Sequence, residues 1–188
     1  WQNAGQGGGL ALSGCSGARV AGNRIVANTA SLGTGLSGWG GGISLEDRGS
    51  GGTIEDNVLV GNRASPVAWS MGNSLYTWYQ SADVRRNFMS SDSIESAVLL
   101  GFFSGAFEAN TVRAGGERVV VHLFNALEDG VTLDNNALVA GPGTEWVVNV
   151  DGYVEHPVQA TLRHNTIVGN GTSVGVRAED YGNATLTN

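Results

Sequence analysis

The segment Asp56-Asn57-Val58-Leu59-Val60-Gly61-Asn62 contains a pattern that recurs along the whole chain. Its centre is Asn57, with one apolar residue, Ile54, three positions before it and another, Leu59, two positions after it. The same arrangement surrounds six asparagines at intervals between 23 and 34 residues: Asn23, Asn57, Asn87, Asn110, Asn136 and Asn165. A unit that recurs at such intervals indicates a protein built from stacked repeats.

The residues around each asparagine favour strands over helices. The flanking stretches are short and apolar, and Gly and Asn interrupt them too often for a helix. Small residues and turn formers follow, as Gly61 and Asn62 do after Asn57. We therefore expect a strand before each asparagine and another after it. Between them, the asparagine is expected to adopt the left-handed conformation of a sharp bend and to bond to the asparagines of neighbouring repeats.

A third strand is predicted before each unit, because apolar and polar residues alternate there. For example, Ile43 and Leu45 alternate with Ser44 and Glu46, which places one face of the strand toward a core. The predicted third strands are residues 10–13, 42–46, 74–78, 98–102, 119–124, 146–151 and 174–179. Three short strands per repeat predict an all-β solenoid of about six to seven coils, with residues 1–188 forming a single domain.

Three segments carry a resemblance to a known family: residues 40–45, 56–64 and 164–170, with the sequences GGGISL, DNVLVGNRA and HNTIVGN. They resemble the right-handed parallel β-helix repeats of the pectin-lyase-like superfamily, in the style of bacterial surface and polymorphic outer-membrane proteins. The resemblance covers nearly the whole chain. It implies a right-handed single-stranded parallel β-helix and a secreted or cell-surface location. It leaves the activity open, since the superfamily includes lyases, hydrolases, adhesins and scaffolds.

Composition restricts the partners. The net charge of −7 argues against nucleic acid and against an anionic membrane surface. No apolar run approaches the ~18 residues of a membrane span. The single cysteine, Cys15, excludes an intrachain disulfide and is expected to be buried. A seventh asparagine would fall just after residue 188, so we expect a piece of a longer solenoid, or a chain that self-associates end to end.

Acidic residues at the ends of the predicted third strands are the candidate catalytic groups. They are Asp129, Asp151, Glu179 and Asp180, with His122 and Arg177 as the nearest helpers. Stacked strands lie about 4.8 Å apart, so two such carboxylates could act as acid and nucleophile on a glycosidic bond. They could instead hold Ca²⁺ for a lyase reaction with an Arg or His base. Asp-Gly pairs are also typical of turns, and we favour that interpretation.

A group of aromatic residues forms the candidate ligand-binding site: Trp39, Trp69, Tyr76, Trp78 and Tyr79. Two long predicted loops, residues 29–41 and 64–73, lie in the same region, and loops on a rigid scaffold often carry binding sites. Exposed Trp and Tyr side chains stack on sugar rings or bind protein partners. The alternative is that Trp39 and Trp69 pack against their own loops. No metal site is predicted, because the histidines have no ligand-like spacing with Cys15.

These observations favour a secreted or cell-surface scaffold or adhesion module without catalysis, which presents loops to a polysaccharide or a surface protein. Two alternatives remain. One is a polysaccharide lyase or glycoside hydrolase that uses the acidic residues on the third-strand face, with Ca²⁺ as a possible cofactor. The other is a carbohydrate-binding module that uses the aromatic group.

Overall fold

The computed structural model describes residues 5–33, 37–46, 51–66 and 70–187, and for residues 126–129 it describes the backbone alone. Within these ranges the chain consists of strands joined by turns, and no helix is present. None of the described segments is therefore a helix long and apolar enough to cross a membrane.

The strands follow one another closely along the chain. The first ten are β1 Gly5–Gln6, β2 Leu10–Ser13, β3 Arg19–Ala21, β4 Arg24–Val26, β5 Gly38–Trp39, β6 Ile43–Glu46, β7 Gly52–Glu55, β8 Val58–Val60, β9 Ser70–Met71 and β10 Leu75–Arg85. The remaining strands are β11 Phe88–Ser91, β12 Ser96–Glu108, β13 Thr111–Ala114, β14 Val119–Asp134, β15 Ala137–Val139, β16 Trp146–Gly152, β17 Val158–Arg163, β18 Thr166–Val168, β19 Val174–Asp180 and β20 Gly182–Thr187.

Every pairing between these strands is parallel. The large sheet has the order β19-β16-β14-β12-β10-β6-β2; in addition, β17 pairs with β14 and β20, and β7 pairs with β10 and β3. A six-stranded sheet has the order β18-β15-β13-β11-β8-β4, and a small sheet contains β1, β5 and β9. The predicted all-β architecture of parallel strands is confirmed, and it is consistent with a β-helix-like solenoid.

Three of the predicted third strands are longer than expected. In β10, β12 and β14 the third strand continues into the strand that precedes the asparagine, which gives strands of 11, 13 and 16 residues. Each contains one residue other than glycine with positive φ: Tyr79 at 56°, Phe102 at 45° and Asn125 at 51°. A left-handed residue redirects the chain locally, so these strands bend here; the bend residues are skipped in the pairing, and the register of β12 with β14 shifts between Phe103 and Gly105.

The core consists of apolar side chains aligned across the strands. The residues three positions before the asparagines are register partners and are all buried: Val20, Ile54, Val84, Phe107, Leu133 and Leu162. A second aligned row comes from the six-stranded sheet and includes Leu59, Met89, Val112 and Leu138. The predicted inward positions are therefore confirmed, and each repeat packs mainly on its neighbours.

The asparagines form the predicted ladder. The Asn110 Oδ1 accepts hydrogen bonds from the backbone N–H of Asn87 at 2.9 Å and from Asn87 Nδ2 at 3.0 Å. The Asn110 Nδ2 donates to the Val84 carbonyl at 2.8 Å and to Asn136 Oδ1 at 3.3 Å. The asparagine side chain thus provides hydrogen-bond partners for backbone groups that the bend would otherwise leave unsatisfied.

The prediction that these asparagines adopt the left-handed conformation is wrong. Positive φ occurs one residue earlier, at Gly22, Asp56, Arg86, Ala109, Asn135 and His164. The asparagine side chain must point inward to reach its neighbours in the ladder, so the residue before it makes the bend. This division of roles explains why the asparagine recurs while the preceding residue varies.

Cys15 also differs from the expectation. It lies in the turn after β2, which is the edge strand of the large sheet, and it is exposed. Its thiol donates to the Ser13 carbonyl at 3.4 Å. The thiol is exposed because the turn leaves the stacked core at this position.

Candidate functional site

A cleft of about 560 Å³ lies on the outer face of the large sheet. Along β14, Leu123 points into the core whereas His122 and Phe124 on either side of it line the cleft. This alternation places the cleft on the face of the predicted third strands.

Register partners from successive strands line the cleft in three rows. The first row contains Ser96, Val119 and Trp146. The second row contains Leu99, His122, Asn149 and Arg177. The third row contains Trp78, Phe124, Asp151 and Glu179, with Gly101 between Trp78 and Phe124. Because neighbouring strands lie about 4.8 Å apart, the rows run along the stacking direction of the repeats.

The end of the cleft nearest β10 is aromatic. The indole of Trp78 stacks on the ring of Phe124, with the centroids 5.8 Å apart and the planes 17° apart. Tyr153 contacts the same phenyl ring edge-on at 5.5 Å. Leu99 forms the adjacent part of the floor. These side chains make this end of the cleft apolar, which is suited to contact with the apolar part of a ligand.

The predicted aromatic group is largely brought together. Trp39, Tyr76 and Trp78 form a continuous stack, with centroid separations of 6.0 and 5.9 Å, and Tyr79 meets Trp78 edge-on at 6.0 Å. Of these described residues, Trp78 lines the cleft. Tyr76 is buried, which raises the pKa of its phenol, and the charge of Glu46 adds to this rise. Trp69 lies outside the described residues.

The end of the cleft nearest β19 is polar. The Asn149 side chain is almost fully buried, and its Nδ2 donates to Glu179 Oε1 at 3.1 Å. Its Oδ1 has no hydrogen-bond partner among the described residues, and the same holds for His122 Nε2. His122 Nε2 lies 3.8 Å from Asp151 Oδ2, which is too long for a hydrogen bond. Leaving a buried polar atom unpaired costs about 1–3 kcal/mol, so a ligand that pairs with Asn149 recovers this free energy.

Two arginines contact Trp146 of β16: Arg118 directly precedes β14, and Arg177 is in β19, the two strands that flank β16. The guanidinium of Arg118 lies 4.9 Å from the indole and that of Arg177 lies 4.4 Å from it. Arg118 also donates bidentate hydrogen bonds to the Glu145 carboxylate, both at 3.1 Å. These hydrogen bonds raise the pKa of Arg118. Arg177 pairs with Glu179. Both cations therefore already have anionic and aromatic partners.

The predicted catalytic carboxylates are separated by their register. Asp151 and Glu179 are register partners on β16 and β19 and both line the cleft. Asp180 is one position further along, is the register partner of Gly152, and is exposed with a φ of 52°. The side chain of Asp129 is not described, and its backbone in β14 lies beyond Phe124 and the bend at Asn125. Of the predicted carboxylates, Asp151 and Glu179 are thus the pair placed beside His122.

The described residues contain no group of three or more His, Cys, Asp or Glu side chains that could hold a metal ion. The polar groups around Asp151 are its own carboxylate, the Glu179 carboxylate and the His122 imidazole. The Glu179 carboxylate already has two partners, Arg177 and Asn149. Together these polar groups can accept hydrogen bonds from a ligand.

Sequence reasoning missed several residues that line this cleft, above all Phe124, Trp146, Asn149 and Arg118. A signal for two of them, Phe124 and Asn149, was present. The alternation along the third strands places His122 and Phe124 outward on one strand, and Asn149 and Asp151 outward on another. Alignment of these strands predicts members of the second and third rows from the sequence. Arg118 precedes its strand, and its position over Trp146 depends on side-chain packing.

Comparison of the chain with family models, with curated proteins and with solved structures found no match.

Proposed function

We propose that the chain is a carbohydrate-binding module of a secreted or cell-surface protein, and that the cleft holds the sugar. The proposal includes a right-handed parallel β-helix of six to seven coils of the pectin-lyase-like type as its scaffold. The binding surface is then the face of the large sheet rather than the long loops. The proposal thus combines two of the functions inferred from the sequence: a scaffold that presents a binding surface, and a carbohydrate-binding module.

One observation carries the proposal. The stacked rings of Trp78 and Phe124 lie in the same cleft as the polar groups of His122, Asn149 and Asp151. Sugar rings have an apolar face that packs on aromatic rings and an edge of hydroxyl groups that form hydrogen bonds. A cleft with an aromatic end and a polar end satisfies both requirements. Its rows extend over several parallel strands, so a short oligosaccharide can lie along the stacking direction.

The test is binding to a panel of oligosaccharides, first on a glycan array and then by titration calorimetry. We expect the unmodified protein to bind at least one ligand class and Trp78→Ala to weaken that binding at least tenfold. Tyr181→Ala is the matched control, because Tyr181 is an exposed aromatic residue outside the cleft. Both variants are checked for folding by circular dichroism. Equal affinity of the Trp78→Ala variant and the unmodified protein would contradict the proposal.

A second candidate function is glycoside hydrolysis, and the register of Asp151 with Glu179 favours it. Neighbouring parallel strands lie about 4.8 Å apart, close to the carboxyl separation of about 5–5.5 Å in retaining glycosidases. The ion pair of Glu179 with Arg177 occupies this carboxylate, so a substrate would have to compete with Arg177 for it. Release of reducing ends from a polysaccharide, lost in Asp151→Asn, would favour this candidate over simple binding.

A further inference from the structure

We infer that the cleft selects an uncharged, hydroxyl-rich sugar over a uronic acid, and that Asn149 and Asp151 are the residues that determine this choice. The inference rests on the proposed function, because it names the class of carbohydrate that the same cleft takes. It follows from which polar groups in the cleft are free and which already have partners.

Asn149 requires a hydrogen-bond donor from its ligand. Its amide is 3% exposed, and the bond from Nδ2 to Glu179 fixes the amide's orientation, since the reverse orientation would place Oδ1 against a carboxylate oxygen. The atom left without a partner among the described residues is therefore the acceptor Oδ1. A sugar hydroxyl can donate to it, whereas an ionised carboxylate cannot.

Asp151 adds a second acceptor beside the first. It lies two residues after Asn149 on β16, so the two side chains are on the same face of the strand. Its Oδ2 is 3.8 Å from His122 Nε2, and this nitrogen also has no hydrogen-bond partner among the described residues. His122 is the register partner of Asn149 on β14. Two neighbouring strands therefore offer two acceptors and one imidazole, an arrangement that suits adjacent hydroxyl groups.

The cations in the cleft have partners that a uronic acid would have to displace. Arg118 is bound to Glu145, lies 3.8 Å from Glu95, and packs on Trp146. Arg177 is paired with Glu179, and its guanidinium lies over the Trp146 ring at 4.4 Å from the centroid. A ligand carboxylate would gain little from these arginines. It would also meet the negative charges of Glu95 and Asp151, which line the cleft.

The experiment compares oligosaccharides of matched length from two classes. Neutral xylo-, manno- and cello-oligosaccharides are titrated against oligogalacturonates by calorimetry at low and moderate salt. We expect a neutral ligand to bind at least tenfold more tightly than the oligogalacturonate, with an affinity that changes less than twofold with salt. Asn149→Ala is expected to weaken neutral binding at least tenfold, whereas Gln159→Ala, which removes an exposed amide outside the cleft, leaves it unchanged.

Asp151→Asn gives a second, independent readout. This change keeps the shape of the side chain and removes its charge, so we expect the preference for neutral over acidic ligands to fall. Tighter binding of oligogalacturonate to the unmodified protein overturns the inference and leaves the proposed function standing. Neutral binding that Asn149→Ala does not affect also overturns it. Absence of binding to either class overturns the proposed function itself.

Discussion

The indole of Trp78 lies over Gly101 and stacks on the ring of Phe124, two strands away in the large sheet, with the ring centroids 5.8 Å apart. The contact exists because the residue between them in the row has no side chain. A Cβ atom on Gly101 would lie 2.3 Å from Trp78 Cε3, well inside contact distance. The aromatic end of the cleft therefore depends on a glycine in the middle of β12.

Gly101→Ala is expected to displace the indole from Phe124. The added methyl group overpacks the site, and the loss of stability should be about 1–3 kcal/mol. The near-ultraviolet circular dichroism of the stacked rings should weaken, and the affinity for a bound sugar should fall with it. Gly175→Ala is the control, since its Cβ would meet Ile167 at an ordinary 3.7 Å. Equal spectra for both variants would show that the stack does not depend on Gly101.

The bend at each asparagine gives a pair of substitutions with opposite effects. Asn110→Gly removes the acceptor of two bonds from Asn87 and should cost at least about 2 kcal/mol. Ala109→Gly relieves a positive φ of 53° and should stabilise the protein by up to about 1 kcal/mol, because part of the gain is offset by the greater freedom of Gly in the unfolded chain. Urea denaturation measures both. Similar losses in the two variants would mean that the two residues share the bend.

Leu133→Ala should cost about 2–5 kcal/mol, since Leu133 is fully buried in the row between Phe107 and Leu162 and the change leaves a cavity. Leu32→Ala is the control, because Leu32 is 80% exposed and its change should be nearly neutral. Chemical denaturation of both variants provides the measurement. A loss below about 1 kcal/mol for Leu133→Ala would contradict its inward position.

Glu55 gives the protein a predictable response to acid. Its carboxylate accepts hydrogen bonds from Arg19, Arg85 and Arg86, and these bonds lower its pKa from 4.5 to about 2. A lowered pKa in the folded state means that the stabilisation is present above pH 4.5 and is lost as the pH falls toward 2. The free energy of unfolding should therefore decrease across this range.

Glu55→Gln should remove part of that decrease and leave a shallower dependence of stability on pH between 4.5 and 2. Glu155→Gln, at an exposed turn position, is the control and should retain the slope of the unmodified protein. Denaturation midpoints measured at several pH values give both slopes. A slope in Glu55→Gln as steep as that of the unmodified protein would assign the acid response to other groups.

Much of the architecture follows from the repeat alone. The apolar positions around Asn57 and Asn136 predict inward residues that the structure buries, and the ladder of asparagine amides forms as expected. The sequence predicts the bend at each asparagine, one residue later than it occurs, because Asn tolerates positive φ. Nothing in the sequence favours Ala109 over Asn110 as the bend residue. The bends inside the long strands are not predictable for a related reason, since Tyr79 and Phe102 are not typical turn formers.

The cleft was only partly predictable. Of the acidic and histidine candidates, His122, Asp151 and Glu179 line the cleft, because residues two apart along a strand share a face and register partners lie side by side. Asp180 is separated from Asp151 because the register pairs Asp151 with Glu179 and Gly152 with Asp180. This register relates two repeats, so the sequence of one repeat does not reveal it.

The sequence by itself determined the stacking of parallel strands, the rows of buried residues and the asparagine ladder, because these are local periodicities repeated in every unit. Only the tertiary structure decided that Trp78 reaches Phe124 across Gly101, and that Asn149 donates to Glu179 while its oxygen is left without a partner among the described residues. The physical reason is that these contacts join side chains of different repeats. Their existence depends on the register between strands and on the space left by a missing side chain, which are properties of the packed sheet.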